Sequence, residues 1–206
     1  MARPLKPLLS RAMIVDAALH LIDKGRPFTI PALGQHLGVH PSSLYHHVSG
    51  RQEILELIRE QLLMSGATSA PATPPSGPWQ DSVRHWAQKY RSSFAEHPHL
   101  VRLLTAQTVE SLPVLQSYET LAQALSTAGF TPVQVQMAIT VLDNFFLGSA
   151  LDLAAPEEVW QTSQFPDSAL AAAVRESPTG VERADAAFEF GLKALLIGLE
   201  ALRGPA

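Results

Sequence analysis

Cysteine is absent from this chain of 206 residues, and so are the motifs that mark common enzyme classes. Without thiols the chain can form neither a disulfide nor a thiolate metal site. We find no GxSxG elbow, HExxH zinc motif, phosphate-binding P-loop or dinucleotide fingerprint, and no Ser/His/Asp set follows from the spacing. We therefore expect a protein that is not an enzyme and that carries no metal or other cofactor.

Long uninterrupted apolar runs are also lacking. The two most apolar segments, 132–155 and 181–202, are each broken by charged or amide side chains, whereas a membrane-spanning helix needs about 20 mostly apolar residues. The first residues do not form the apolar stretch of a signal peptide. We expect a soluble cytoplasmic protein without a membrane partner. With 46% apolar residues, it can bury the cores of one small and one medium domain.

Charge is unevenly distributed along the chain. The net charge is −4, but residues 1–50 carry five Lys or Arg against two Asp, together with five of the eight histidines. This first segment therefore has a charge of +3 and the remainder a charge of −7. A modest basic face on an acidic body fits nucleic-acid binding by the N-terminal segment, although so small a count is weak support by itself.

Residues 29–55 have the pattern of a helix-turn-helix. Thr29 is a suitable N-cap for a short amphipathic helix, and Gly38 supplies the positive φ that ends it. Pro41 suits the first turn of the next helix, in which Leu44 points inward. An αα-hairpin with polar caps would look similar, but further amphipathic helices are predicted on both sides.

The outward side chains of that second helix are small or hydrogen-bonding groups, as a recognition helix in a major groove requires. The predicted base-contacting residues are Pro41, Ser42, Ser43 and His46. The predicted phosphate-contacting residues are Thr29, Tyr45, His47 and Arg51, and His40 is included in the same DNA-binding set.

A proline-rich stretch of small residues, 66–78, predicts a flexible linker, and periods of 3.6 residues on both sides predict an all-α fold. The segments LSR, AALHLID, FTIPALGQHLGV, SSLYHHV and EIL, in this order, resemble the DNA-binding domain of TetR-type repressors. Further along, WQDSVRHWAQKYRSSF, YETLAQAL, FLGSALD and AFEFGLKALLIGLE are similar to the tetracycline-repressor branch. The resemblance implies a three-helix helix-turn-helix DNA-binding domain at 1–55 and a helical ligand-binding and dimerisation domain at 56–206.

Small residues recur every seven positions in the predicted final helix, 181–202. Packing inside one chain explains this recurrence about as well as a dimer does. The resemblance implies that this helix and the helix beginning at residue 132 form a four-helix dimer interface, and a homodimer suits a palindromic operator. The predicted dimerisation residues are Phe188, Gly191, Leu195, Gly198 and Leu199.

An aromatic stripe at i, i+4 and i+8 begins at Trp86 and would form either ordinary core or one wall of a small-molecule cavity. Asn144 favours a cavity, because an amide buried without a partner costs about 1 to 3 kcal/mol. Trp160 is expected to close this cavity. The predicted ligand-binding residues are Trp86, Tyr90, Phe94, Leu104, Gln107, Met137, Val141, Asn144, Phe145 and Gly148.

The resemblance also bears on the ligand's chemistry. In tetracycline repressors a histidine coordinates the metal of the drug complex, and counting from His97 the matching position here is Leu104. An aliphatic side chain cannot bind Mg²⁺. We therefore expect a metal-free, mostly apolar or aromatic effector rather than a magnesium–tetracycline complex. His97 and His99 could form a metal pair, but HPHL also suits a helix start.

Together these patterns predict a ligand-responsive transcriptional repressor. It would bind a palindromic double-stranded DNA operator as a homodimer and be released by a small-molecule effector. A transcriptional activator, or a DNA-binding regulator that ignores small molecules, fits the same patterns.

Overall fold

A computed structural model describes residues 9–65 and 77–203 of the chain. These residues form ten helices and no strand, which confirms the predicted all-α fold. The predicted linker lies mostly outside the described residues. The helices are α1 (Arg11–Asp23), α2 (Ile30–Leu37), α3 (Pro41–Leu44), α4 (Arg51–Ser65), α5 (Trp79–Ala95), α6 (Pro98–Thr105), α7 (Leu112–Thr127), α8 (Pro132–Asp152), α9 (Ala169–Glu176) and α10 (Gly180–Leu202).

The described residues form two compact units. The first unit contains residues 9–65 and 97–115, and the second contains residues 77–96 and 116–203. Helix α6 thus belongs with the N-terminal helices, because it packs against α1 and α4. This grouping by contacts differs from a boundary after residue 55, and the predicted functional domains at 1–55 and 56–206 stay a prediction.

The first unit depends on helix ends that the sequence signals well. Ser10 caps α1 by accepting the Met13 N–H at 3.3 Å, and Thr29 caps α2 by accepting the Ala32 N–H at 3.2 Å. Gly38 ends α2 with a φ of 67°, in the left-handed region that favours glycine. Helix α1 packs against both α2 and α4, so these short elements surround one apolar core.

A buried ion pair joins α4 to the connection between α6 and α7. The Glu56 carboxylate lies 3.2 Å from the Arg59 guanidinium and accepts the backbone N–H groups of Glu110 and Ser111 at 3.0 Å each. Arg59 in turn donates to the carbonyl of Leu104 at 2.8 Å. Both side chains are almost fully buried. Charged groups therefore fix α6 against α4 within the first unit.

The second unit is built around α5, α8 and α10. Thr131 and Gln134 form a capping box at the start of α8. The buried positions of α8 include Ala138, Leu142 and Phe146, a spacing of four that faces α5. Because α8 is apolar on most of its circumference, it also leaves apolar side chains exposed on its other side. No helix among the described residues is long and apolar enough to cross a membrane.

Candidate DNA-binding and effector sites

Helix α3 is a single turn with a polar cap. The Nδ1 atom of His40 accepts the backbone N–H of Ser42 at 3.3 Å and lies 2.8 Å from its hydroxyl oxygen. Pro41 occupies the first helical position, where no N–H is needed. Leu44 and Val48 are buried beneath the turn. The chain thus forms the short second helix of a helix-turn-helix where the sequence predicts it.

The predicted DNA-contacting residues lie around this turn. Ser42, Tyr45 and His46 are exposed side by side, and the Tyr45 side chain is 57% exposed. Thr29, at the start of α2, and Arg51, at the start of α4, are also exposed, whereas Pro41, Ser43 and His47 are half-buried. His40 is exposed but serves as the helix cap. The contacts of these residues with DNA stay a prediction.

Two residues that sequence reasoning missed brace the end of this turn. Arg11 donates from Nε to the carbonyl of His47 at 2.7 Å and pairs with Glu53 at 3.0 Å. The Glu53 carboxylate accepts the backbone N–H of Ser49 at 2.6 Å. This hydrogen bond, aided by the Arg11 charge, holds the pKa of Glu53 below its usual value. Glu53 lies in the first turn of α4, four residues after Ser49, so this hydrogen bond caps the start of the helix.

Arg51 is oriented by its own unit. Its Nε donates to the carbonyl of Phe28 at 3.2 Å, and its guanidinium lies 5.1 Å from the centre of the Phe28 ring. Arginine retains further N–H groups after such a bond, and these groups match phosphate geometry. An exposed cation is thereby held at the start of α4.

The aromatic stripe of α5 lies inside the second unit. The rings of Trp86 and Tyr90 stack at 4.5 Å between centroids, and Tyr90 contacts Phe94 at 4.8 Å. Phe146 of α8 and Tyr118 of α7 contact Trp86 at 5.5 and 5.3 Å. We call these five residues the aromatic cluster.

Polar groups meet the aromatic cluster at one edge. Tyr118 donates its hydroxyl to the Asp143 carboxylate at 2.9 Å, and the Tyr90 hydroxyl lies 3.4 Å from that of Tyr118. Burial, together with the neighbouring Tyr118 and Asp143, raises the pKa of Tyr90, which stays neutral. The Trp86 indole donates to Ser117 at 3.2 Å. Asp143, a charge within an apolar helix, is the signal that could have identified this edge.

Of the opposite wall expected on α8, Asn144, Phe145 and Gly148 line one cavity of about 440 Å³, and a role of the wall residues toward a ligand stays a prediction. Met137 and Val141 are 58% and 45% exposed, and Asn144 and Gly148 are exposed as well. Phe146 takes the position facing α5, because it lies on the buried spacing of α8. Because apolar residues lie on every side of this helix, the sequence does not determine which of them face α5.

Three more predicted ligand residues have other surroundings. The ring of Phe145 stacks on Phe188 of α10 at 5.7 Å. Leu104 and Gln107 belong to the first unit, where Leu104 is buried and its carbonyl accepts the Arg59 guanidinium. A role for Leu104 and Gln107 toward a ligand stays a prediction. Trp160 lines a separate cavity beside α9 rather than the aromatic cluster.

The residues predicted for dimerisation divide between two sides of α10. Phe188 is buried in its own unit, and a Cβ added to Gly191 would lie 2.5 Å from the Phe145 ring, so these two residues serve packing within the chain. Leu195 and Leu199 are half-buried, and Gly198 is exposed with open space around it. Phe188 and Gly191 thus have a packing role within the chain, and the set of dimerisation residues stays a prediction.

The histidine pair has a local explanation. Nδ1 of His97 lies 2.9 and 3.0 Å from the Asp23 carboxylate oxygens, which joins the start of α6 to the end of α1. His99 is exposed. Within residues 9–65 and 77–203, no three His, Asp or Glu side chains form a group that could hold a metal ion.

Comparison with known proteins agrees with this architecture. Residues 70–203 match the family model described as the tetracyclin repressor-like C-terminal domain. An HTH-type transcriptional regulator of Saccharopolyspora erythraea is 30% identical over 76% of this chain, which spans 64% of that protein. The class E tetracycline repressor of Escherichia coli is 28% identical, with 94% and 92% of the two chains aligned.

A solved structure supports the same assignment. A possible TetR family transcriptional regulator from Streptomyces coelicolor A3(2) is 25% identical, with a TM-score of 0.73, and the match covers 94% of this chain and all of that one. The family model alone matches more than half of the chain. The chain belongs to the tetracycline-repressor-like family of transcriptional regulators.

Proposed function

We propose that this chain is a ligand-responsive transcriptional repressor that binds a palindromic operator as a homodimer and is released by a small, mostly apolar or aromatic effector. The observation that carries the proposal is the braced turn of α3, which exposes Ser42, Tyr45 and His46 together. Short helices with small, hydrogen-bonding side chains fit a major groove. Relatives named as repressors support repression over activation.

Contacts with the DNA backbone and with bases are assigned to different residues. Thr29 and Arg51 lie at helix starts and carry hydrogen atoms that can be donated to phosphate oxygens. Ser42 and His46 project from the turn itself and are assigned to base edges. Phosphate contacts set the overall affinity and its salt dependence, whereas base contacts set sequence preference.

Duplexes selected from a random library, together with scrambled versions, test this division by fluorescence anisotropy. Arg51→Met, which keeps apolar contact with Phe28, should weaken binding to both duplexes alike and reduce the salt slope by about 1. His46→Ala should weaken the selected duplex by about 1 to 3 kcal/mol and leave the scrambled one unchanged. Equal losses on both duplexes for every variant would contradict the proposal.

The homodimer is assigned to the exposed apolar sides of α8 and α10. On α10 these residues follow a heptad spacing, with Phe190 79% and Ile197 62% exposed. On α8 the corresponding residues include Met137 and Val141. Exposed apolar side chains of this size on two neighbouring helices are typical of a protein interface.

Sedimentation of a Gly198→Leu variant tests the interface. Because Gly198 has open space around it within its own chain, the larger side chain should leave the fold intact while it forces the partner away. Loss of the dimer and of operator binding together is expected. Gln88→Leu places the same apolar side chain on an exposed side of α5 and should leave the dimer unchanged.

The effector is assigned to the cavity of about 440 Å³ that Asn144, Phe145 and Gly148 line next to the aromatic cluster, with Asn144 as its polar contact. A ligand that binds tenfold more tightly to the conformation that does not fit the operator favours that conformation by about 1.4 kcal/mol per site. By reciprocity, operator DNA must weaken the binding of the ligand by the same factor.

Calorimetry with tetracycline and Mg²⁺ should give no binding. Micromolar binding that disappears when the metal is chelated would contradict a metal-free effector. Operator binding that no tested small molecule weakens would favour an effector-independent regulator.

A further inference from the structure

The second unit contains a cavity of about 620 Å³ that the proposed function does not use. It lies among the loop that follows α8, helix α9 and the start of α10. Its lining includes no residue of the aromatic cluster. Small-molecule sites typically have volumes of about 300 to 1,000 Å³, so the cavity is large enough for a ligand of ordinary size.

Apolar side chains form one wall of this cavity and are left in water. Val159, Trp160 and Leu170 are 39%, 52% and 44% exposed, and Val174 lies beside them in the lining. Covering such surface contributes about 25 cal/mol for each square ångström removed from water. Trp160 also presents an indole ring, the aromatic surface that attracts cations most strongly.

The charge of the lining is negative. Its ionisable side chains are Glu157, Glu158 and Arg183. The Arg183 guanidinium forms two hydrogen bonds with the Asp152 carboxylate, at 2.8 and 3.0 Å, which balance its charge. The two glutamates have no such cation among the lining residues, although Glu158 accepts the amide of Gln161 at 3.1 Å. The cavity is therefore complementary to a positive charge.

Hydrogen bonds hold the loop in place around this space. The Gly180 N–H donates to the Glu157 carbonyl at 3.3 Å, and the Arg175 guanidinium donates to the Pro166 carbonyl at 2.8 Å. Gly180 adopts a φ of 54° at this junction, which favours glycine. These bonds join the loop to both α9 and α10. A ligand would thus meet walls that are already formed.

We propose that this cavity binds an aromatic organic cation, with its apolar body against Trp160 and Leu170 and its charge toward Glu157 and Glu158. Size, apolar walls, an indole ring and an excess of carboxylates combine here within one unit. The binding site is separate from the aromatic cluster, and the inference does not depend on operator binding or release.

Calorimetry with two ions of matched shape and opposite charge tests the proposal on the full chain. Tetraphenylphosphonium should bind saturably with one ion per chain, and tetraphenylborate should bind at least about tenfold more weakly. Trp160→Ala should weaken tetraphenylphosphonium binding about tenfold. Because Trp79 and Trp86 are buried, quenching of the exposed Trp160 fluorescence gives a second readout in the wild type.

A charge-removing variant separates electrostatics from apolar contact. Glu157→Gln with Glu158→Gln should weaken tetraphenylphosphonium binding about tenfold without weakening tetraphenylborate. Leu115→Ala and Glu189→Gln remove exposed apolar and acidic groups outside the cavity and should leave binding unchanged. The proposal is overturned if both ions bind equally, if Trp160→Ala binds as the wild type does, or if a second copy of the chain covers the cavity and no ion binds.

Discussion

The two units of this chain stabilise their helices in different ways. In the first unit, helices of four to fifteen residues are fixed by caps, a left-handed glycine and the buried pair Glu56–Arg59. In the second unit, helices such as α5, α8 and α10, of 17 to 23 residues, also have a cap and ion pairs, but contacts between aromatic rings join them as well. Directional bonds suit a surface that must keep one shape, whereas ring contacts on long helices leave apolar sides available to partners.

Among the variants that test this difference between the units, the largest loss of stability is expected at Glu56. Glu56→Leu leaves the Arg59 charge buried without its partner and removes the acceptor of two backbone N–H groups. Breaking one side of a buried ion pair costs about 3 to 5 kcal/mol. Urea unfolding measures the loss, and adding Arg59→Met should recover part of it because no unpaired charge then remains. A loss below about 1 kcal/mol would mean that the pair does not stabilise the first unit.

In the second unit, neighbouring residues of α8 provide a matched test. Leu142 is fully buried, whereas Val141 is 45% exposed on the other side of the helix. Leu142→Ala should cost about 2 to 5 kcal/mol because it leaves a cavity against α5. Val141→Ala should cost about 1 kcal/mol or less. Equal losses in urea unfolding would show that the inward face of α8 has been assigned incorrectly.

The same contrast explains what the sequence could predict. Thr29, Gly38 and Pro41 act through their own backbone neighbours, so their types alone specify the turn of the helix-turn-helix. The site on α8 depends on which side of an apolar helix meets α5. Asn144 and Asp143 are adjacent polar residues in that helix, and only the packed structure places Asp143 against Tyr118. Long-range contacts such as Arg11 with His47 carry no local signal at all.

A smaller effect is expected from the turn between α2 and α3. Gly38 has a φ of 67° with no atom near the position of an added Cβ, so Gly38→Ala meets only the backbone cost of about 1 to 2 kcal/mol. Gly148, which also has open space but lies inside helix α8 without a left-handed φ, is the control, and Gly148→Ala should be neutral or stabilising because alanine favours a helix. Thermal unfolding of both variants checks this expectation. An equal loss at the two positions would show that the left-handed turn is not what Gly38 supplies.

The smallest effect is expected in the pH dependence of stability. The Ser49 N–H and the Arg11 charge hold the pKa of Glu53 below its usual value of 4.5. A lowered folded-state pKa contributes stability that is present above the ordinary glutamate value and is lost as the pH falls through the folded value. Glu53→Gln should therefore reduce the difference in unfolding free energy between neutral pH and a pH below 4.5. Glu96→Gln, an exposed glutamate in the second unit, is the control for general charge effects. A carbon-13 titration of the Glu53 carboxyl checks the cause directly, because a midpoint at the ordinary value would show that the brace beside α3 does not depend on this charge.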